Sequence, residues 1–172
     1  MKTKKILVLI FLFLIPAWEF QKEPDLKFFK IIPEEVEKIS HQNLYNEIIE
    51  RGIKFPEIAF VQAIIESGNF KSGLFKKHNN LFGMRFPGRR ETTSIGRNKN
   101  GYARYEDWNA SVKDYLHWQS FFMRKRDINT REEYLDLLDE VYAENESYVS
   151  VIRKTIIRYK YLFNKRTGSS AG

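Results

Sequence analysis

At 172 residues, with 42% hydrophobic, 30% charged and 15% aromatic side chains, the chain is sized for one domain and is neither a disordered tail nor a coiled-coil rod. It contains no cysteine, which excludes a disulfide framework, a thiol nucleophile, a Cys-ligated zinc or iron–sulfur site and a lipid-modified cysteine anchor. The formal charge is +7, and three histidines (His41, His78 and His117) are scattered without metal-ligating spacing, so neither a metal nor another cofactor is expected.

The chain opens with Lys2, Lys4 and Lys5 ahead of an unbroken apolar run, Ile6 to Ile15, which Pro16 ends. A basic segment followed by ~7–15 apolar residues is the pattern of a secretory signal, and the run is short for a membrane span. Residues 1–17 are therefore expected to form a signal peptide or an N-terminal anchor, and residues 18–33 a linker. The functional domain is expected over 34–164, with a disordered tail over 165–172. The expected location is outside the cytoplasm: periplasm, cell envelope or extracellular space. Membrane contact is expected only through an uncleaved N-terminal segment. Residues 1–17 hold three lysines and no acid, so the remainder carries 26 basic against 22 acidic residues, a net charge of +4. That is too modest to argue for nucleic-acid binding. The surplus is local: Arg85, Arg89, Arg90, Arg97, Lys99 and Arg104 accompany the single acid Glu91.

From residue 33 the pattern is mostly helical. Pro33-Glu34-Glu35 reads as a first helical turn, with the helix running to about Arg51 and Gly52 as its stop. Pro56 suits the first position of a second helix, and Pro56 to Glu66 is apolar on nearly all sides, as a central buried helix should be. It ends at Ser67-Gly68, and a short helix around Ser72–Lys77 follows. Residues 84–107 are rich in Gly, Asn, Thr and Arg, which predicts a loop or small β-hairpin between helices. Helicity returns from Asn109, with Val112, Tyr115, Leu116, Gln119, Phe122 and Met123 on one stripe. Thr130 and Glu133 form a capping-box pattern for a helix to about Leu138. A last helix carries Tyr148, Ile152, Thr155, Ile156, Tyr159 and Phe163.

One acid is placed unusually. Glu66 closes the aliphatic run at the end of the helix expected in the core. A carboxyl there faces the negative end of the helix dipole, and neighbours such as Ile64, Ile65 and Phe70 disfavour its charged form. Both effects raise its pKa. A carboxyl kept protonated near neutral pH is what a general acid needs to donate to a glycosidic oxygen. On position alone, an ordinary exposed acid at a helix end is the competing reading.

The segments Ala59-Phe-Val-Gln-Ala-Ile-Ile-Glu66-Ser-Gly-Asn-Phe-Lys-Ser72 and Asn79-Asn80-Leu81-Phe82-Gly83-Met84 resemble the bacterial glucosaminidases of glycoside hydrolase family 73. That family includes autolysins and the flagellar-rod peptidoglycan hydrolase. The likeness continues through Tyr105-Glu-Asp-Trp108-Asn-Ala-Ser-Val112-Lys-Asp-Tyr115 and through Tyr142-Ala143-Glu144-Asn145 with Tyr148-Val149. Any one of these segments is a weak signal; four in order, over roughly residues 40–162, are a strong one. Their wording is most similar to the small exported versions of Bacteroidetes-type bacteria.

The resemblance implies a mainly α (α+β), lysozyme-like fold, with a helical lobe and a small β-hairpin lobe flanking a groove, and makes 34–164 a glucosaminidase domain. It implies cleavage of the bond after N-acetylglucosamine in peptidoglycan glycan strands by a monomer, with no nucleic acid as partner. Glu66 matches the family's catalytic acid. For the second carboxylate, Glu91 is the only acid between the Asn79-Asn80 segment and Tyr105. It reads equally as a surface acid paired with Arg89 or Arg90. A substrate-assisted route, with the N-acetyl group as internal nucleophile, needs no second carboxylate. Asn80, Phe82, Tyr105, Tyr142 and Tyr148 are the substrate-binding candidates, Asn80 chiefly by organising the loop under Glu66, while Trp108 and Trp118 read as core. A muramidase or lytic transglycosylase on the same polymer, or an inactive glycan-binding relative, are the alternatives.

Overall fold

A computed structural model describes residues 38–142 and 147–164. The expectations for the N-terminal segment, the linker, residues 143–146 and the tail lie outside them. Seven helices and one two-stranded antiparallel sheet form the described part, and no helix in it is long and apolar enough to cross a membrane.

Helix α1 (His41–Glu50) corrects the expected start near Pro33: Lys38, Ile39 and Ser40 are not helical. The stronger local signal is Ser40, whose hydroxyl accepts from the Asn43 N–H while the Asn43 side chain accepts from the Ser40 N–H. Two orphan amides satisfied at once fix the helix start there.

Helix α2 (Pro56–Glu66) has the expected bounds and is buried from Ile58 through Ile64. It packs against α1 on one side and against α6 (Tyr148–Arg158) on the other, which is why it has no polar face. Phe60 anchors this contact, its ring lying edge-on to Tyr45, Tyr159 and Phe163. Truncating a fully buried aliphatic here, such as Ile58 or Ile48, costs about 2–5 kcal/mol by cavity formation. The chain leaves α2 through Gly68, Asn69 and Phe70, all with left-handed backbone. The turn is tied back by the Asn69 N–H to Ile64 C=O and by the Phe70 N–H to the Ser67 hydroxyl.

Helix α3 (Gly73–His78) is capped by Ser72. The predicted hairpin is present but minimal: β1 (Gly96–Arg97) pairs antiparallel with β2 (Ala103–Arg104), with Gly96 opposite Arg104 and Arg97 opposite Ala103. A single bridge joins Arg85 to Tyr102. Helix α4 (Trp108–Met123) starts one residue earlier than its apolar stripe implies, because the Asp107 carboxylate caps the Ala110 N–H. Helix α5 (Arg131–Val141) opens on the expected Thr130–Glu133 capping box. The expected single last helix is two, α6 and α7 (Lys160–Asn164), interrupted at Tyr159.

Candidate active site

The C-terminal end of α2, the turn after α3, the loop before β1, and residues of α4, α5 and α6 surround a cleft of about 820 Å³. Half-buried Glu66 lines it, together with Phe82, Gly83, Arg85, Arg90, Tyr102, Trp118, Glu140, Tyr142 and Tyr148. Glu66 is there because the last turn of a helix fixed in the core carries it outward. Its Oε1 accepts a hydrogen bond of 2.9 Å from the Tyr148 hydroxyl at the start of α6. Burial, and next the nearby Glu66 charge, push the Tyr148 hydroxyl pKa far above its usual value, so this group stays a donor through any working pH.

Gly83 supplies the opposite contact. Its φ is +65°, and a β-carbon at this position would lie 3.2 Å from Glu66 Oε2. A side chain there would both strain the backbone and crowd the carboxyl. The residues around Gly83 are held by Asn80, which is fully buried. Its side-chain carbonyl accepts from the Met84 N–H, and its amide donates to the Met84 and Ala103 carbonyls at 2.9 Å each. Asn80 therefore fits the organising role: its polar atoms are committed to backbone and it does not line the cleft.

Phe82, Tyr142 and Tyr148 do line it. Phe82 is fully buried and stacks on Tyr115 with ring centres 4.2 Å apart, so it offers the cleft little surface. Tyr142 and Tyr148 lie near-parallel, 6.0 Å apart, and the Tyr142 hydroxyl donates to the Phe82 carbonyl. Trp118, expected in the core, lies edge-on to Tyr142 and lines the cleft as well.

The structure places Tyr105 away from the cleft lining. It is 3% exposed and donates to Asp114 Oδ2 at 2.7 Å. Asp114, fully buried on α4, takes a two-pronged ion pair from Arg90 at 2.7 and 2.8 Å. Burial pushes the Asp114 pKa up. The hydrogen bonds from Arg90, Tyr105 and Thr92 outweigh that effect and hold it below the usual carboxylate value. The pair fastens the loop before β1 to α4, and the Thr93 hydroxyl adds a bond to the Ala110 carbonyl. Sequence reasoning missed Asp114 because an acid inside an amphipathic stripe looks solvated until its cation is found, and Arg90 lies 24 residues away.

Glu91 is not brought to Glu66. Its side chain is 78% exposed, lies 3.4 Å from His117 Nδ1, and borders a separate shallow depression with Arg89 and Arg124. Glu140, not singled out from the sequence, lines the main cleft and is paired with Arg126 at 2.8 Å. Among the described residues no cluster of His or acidic side chains could hold a metal ion.

A family profile described as Glucosaminidase, mannosyl-glycoprotein endo-beta-N-acetylglucosaminidase, matches residues 42–161. No curated protein matches the chain significantly. Two solved structures are similar in fold. The catalytic domain of the autolysin Auto from Listeria monocytogenes is 20% identical, at a TM-score of 0.50, over 74% of this chain and 88% of that one. A chain of a type VI secretion system effector–immunity complex from Pseudomonas protegens is 14% identical, at a TM-score of 0.54, over 72% of this chain and 89% of that one. The helical lobe with its small antiparallel sheet is thus the lysozyme-like fold expected from the sequence.

Proposed function

The chain belongs to the glucosaminidase family and is a glycoside hydrolase, and from that premise we propose that it cleaves peptidoglycan at the bond after N-acetylglucosamine, with Glu66 as general acid. The observation that carries this reading is the Glu66 carboxyl on the last turn of a buried helix, lining an aromatic cleft and meeting a hydroxyl donor. The similarity to an autolysin's catalytic domain supports the wall polymer as substrate. Arg85 in the lining suits a polymer that carries peptide carboxylates. The basic and apolar pattern of Lys2 to Ile15 supports delivery outside the cytoplasm, where that polymer lies.

In the proposed reaction, Glu66 gives its proton to the glycosidic oxygen as the bond from that oxygen to C1 breaks. The exposure of Glu91 and its place beside His117 favour a route in which the substrate's acetamido oxygen bonds to C1. Water then opens the resulting ring, its proton returning to the Glu66 carboxylate, so the acid is regenerated. A second reading has Glu140 as the base, favoured by its position in the same cleft.

Glu66→Gln keeps volume and polarity but cannot donate a proton. The folded variant should lose at least ~10²-fold in wall lysis, the low end for a general acid. A thiazoline analogue of N-acetylglucosamine should inhibit the wild type, and Glu140→Gln should be mild. Near-normal lysis by folded Glu66→Gln would overturn the assignment of the acid. A Glu140→Gln defect approaching that of Glu66→Gln, without thiazoline inhibition, would favour the second reading.

A further inference from the structure

Behind Glu66 runs a chain of buried polar side chains that the cleft does not expose. Gln62, one helical turn before Glu66 on α2, is fully buried. Its amide nitrogen lies 3.2 Å from the Tyr148 hydroxyl, and its carbonyl accepts from the Tyr115 hydroxyl. Tyr115 lies 2.6 Å from the Tyr134 hydroxyl. Tyr134 in turn meets the Gln119 amide nitrogen at 2.9 Å. The far end is backbone: Gln119 accepts from the Lys54 N–H and donates to the Lys54 carbonyl, both at 2.9 Å.

The donor inventory of these groups leaves one direction for every proton. Lys54 presents both a donor and an acceptor to the same amide, so the Gln119 side chain cannot be flipped. Its second N–H must then point at Tyr134, whose oxygen accepts. Tyr134 has one proton, and it goes to Tyr115. Tyr115 gives its own to the Gln62 carbonyl, which turns the Gln62 amide nitrogen toward Tyr148. Tyr148, already accepting, donates to Glu66 Oε1.

We propose that this one-way chain, anchored on the Lys54 backbone, keeps a donor on Glu66 Oε1 and so confines the catalytic proton to Oε2, the oxygen beside Gly83. The inference rests on Glu66 being the general acid. A neutral carboxyl accepts best at its carbonyl oxygen, so the oxygen that takes the Tyr148 bond is the one without the proton. Gln62, Tyr115, Tyr134 and Gln119 are positioning residues. They touch no substrate, yet they select which carboxyl oxygen can protonate the leaving group. Each bond in the chain also polarises the next, which stabilises the carboxylate left after proton transfer. A protonated chain is secure at working pH: burial pushes Tyr134 up to about 12 and holds Tyr115 well above its usual value too. This also accounts for a glutamine in a helix that is otherwise apolar around its buried circumference.

The titratable and charged groups facing Glu66 are Tyr148 and Tyr142, with Arg85, Arg90, Tyr102 and Glu140 lining the same cleft. None belongs to the far half of the chain, so Tyr134→Phe and Tyr115→Phe change the chain without changing the cleft's charges. Removing either hydroxyl frees Gln62 to flip and compete for the Tyr148 proton. Both variants should lower kcat on solubilised peptidoglycan and move the alkaline limb of kcat/KM to higher pH by about 0.5 unit, the size of a weakened charge-assisted hydrogen bond. Ile48→Val, a core change of comparable mildness away from the chain, should leave the limb in place. If both folded Phe variants keep the wild-type limb while Glu66→Gln is inactive, the directed chain is overturned and the acid assignment stands. If Glu66→Gln is active, the assignment itself fails. Should the Phe variants not fold, NMR of the wild type decides. The Gln62 side-chain amide and the Tyr115 hydroxyl should shift with the titration of the Glu66 carboxyl carbon, and their indifference to it would overturn the proposal.

Discussion

The two walls of the cleft are built on different physics. The wall that carries Glu66 is a helix end. α2 is fixed by apolar packing against α1 and α6, so Glu66 inherits its position from a core that side-chain volume determines. The wall that carries Gly83, Arg85, Arg90 and Tyr102 has almost no secondary structure. It is held by side chains bonded to backbone (Asn80 to Met84 and Ala103, Thr93 to Ala110) and by one buried ion pair, Arg90 with Asp114. A packed helix positions a group through many weak contacts that degrade gradually. A loop pinned by a few polar bonds depends on each of them.

Breaking the ion pair should separate the two walls most sharply. Arg90→Ala leaves Asp114 buried without its cation and should cost about 3–5 kcal/mol of stability, the usual result of removing one partner of a buried pair; chemical denaturation measures it. A loss under 1 kcal/mol would mean that the pair does not hold the wall. The same pair predicts a pH effect. Asp114 is held below its unfolded value of about 3.9, so its contribution is complete above that pH and is lost as pH falls through the lower native value. An Asp114→Asn variant should show a flatter acid limb in its stability than the wild type.

On the packed wall, Tyr148→Phe removes only the hydroxyl. It should lower kcat/KM about 10–100-fold, the equivalent of a hydrogen bond to a charged group, and cost about 1–3 kcal/mol of stability because the buried Gln62 amide loses its acceptor. A smaller step in stability is Asn80→Ala, expected to cost about 1–3 kcal/mol because the Met84 N–H and the Met84 and Ala103 carbonyls each lose a hydrogen bond. Smallest of all is Glu91→Gln: at 78% exposure it should leave both lysis and stability near wild type. A large loss there would reverse the proposed route.

The contrast between the walls also explains what could be read from the sequence. The helical wall was legible because apolar periodicity, Pro56 and the Thr130–Glu133 box are local signals. Glu66 stood out for the same reason, an acid closing an apolar run. The loop wall was legible only in outline. Its bonds join residues far apart in the chain, as Arg90 joins Asp114 and Asn80 joins Ala103, and no local pattern announces such a pair. Tyr105 looked like a groove residue because an aromatic beside a basic loop carries no mark of the buried acid that it serves. The expected start of the first helix failed differently. Two acids after a proline are an acceptable first turn, but the Ser40–Asn43 reciprocal cap is a better one, and it begins seven residues after Pro33. Gln62 was the one signal within reach: an amide among aliphatics, one turn from the candidate acid, is costly unless bonded.

Mass spectrometry of borohydride-reduced fragments, released from purified peptidoglycan by the wild type and by Glu66→Gln, tests the account most directly. Soluble fragments ending in reduced N-acetylglucosamine, absent with the folded variant, are the result expected. Fragments ending in reduced N-acetylmuramic acid or in anhydro-muramic acid, or unchanged release by the variant, would contradict it.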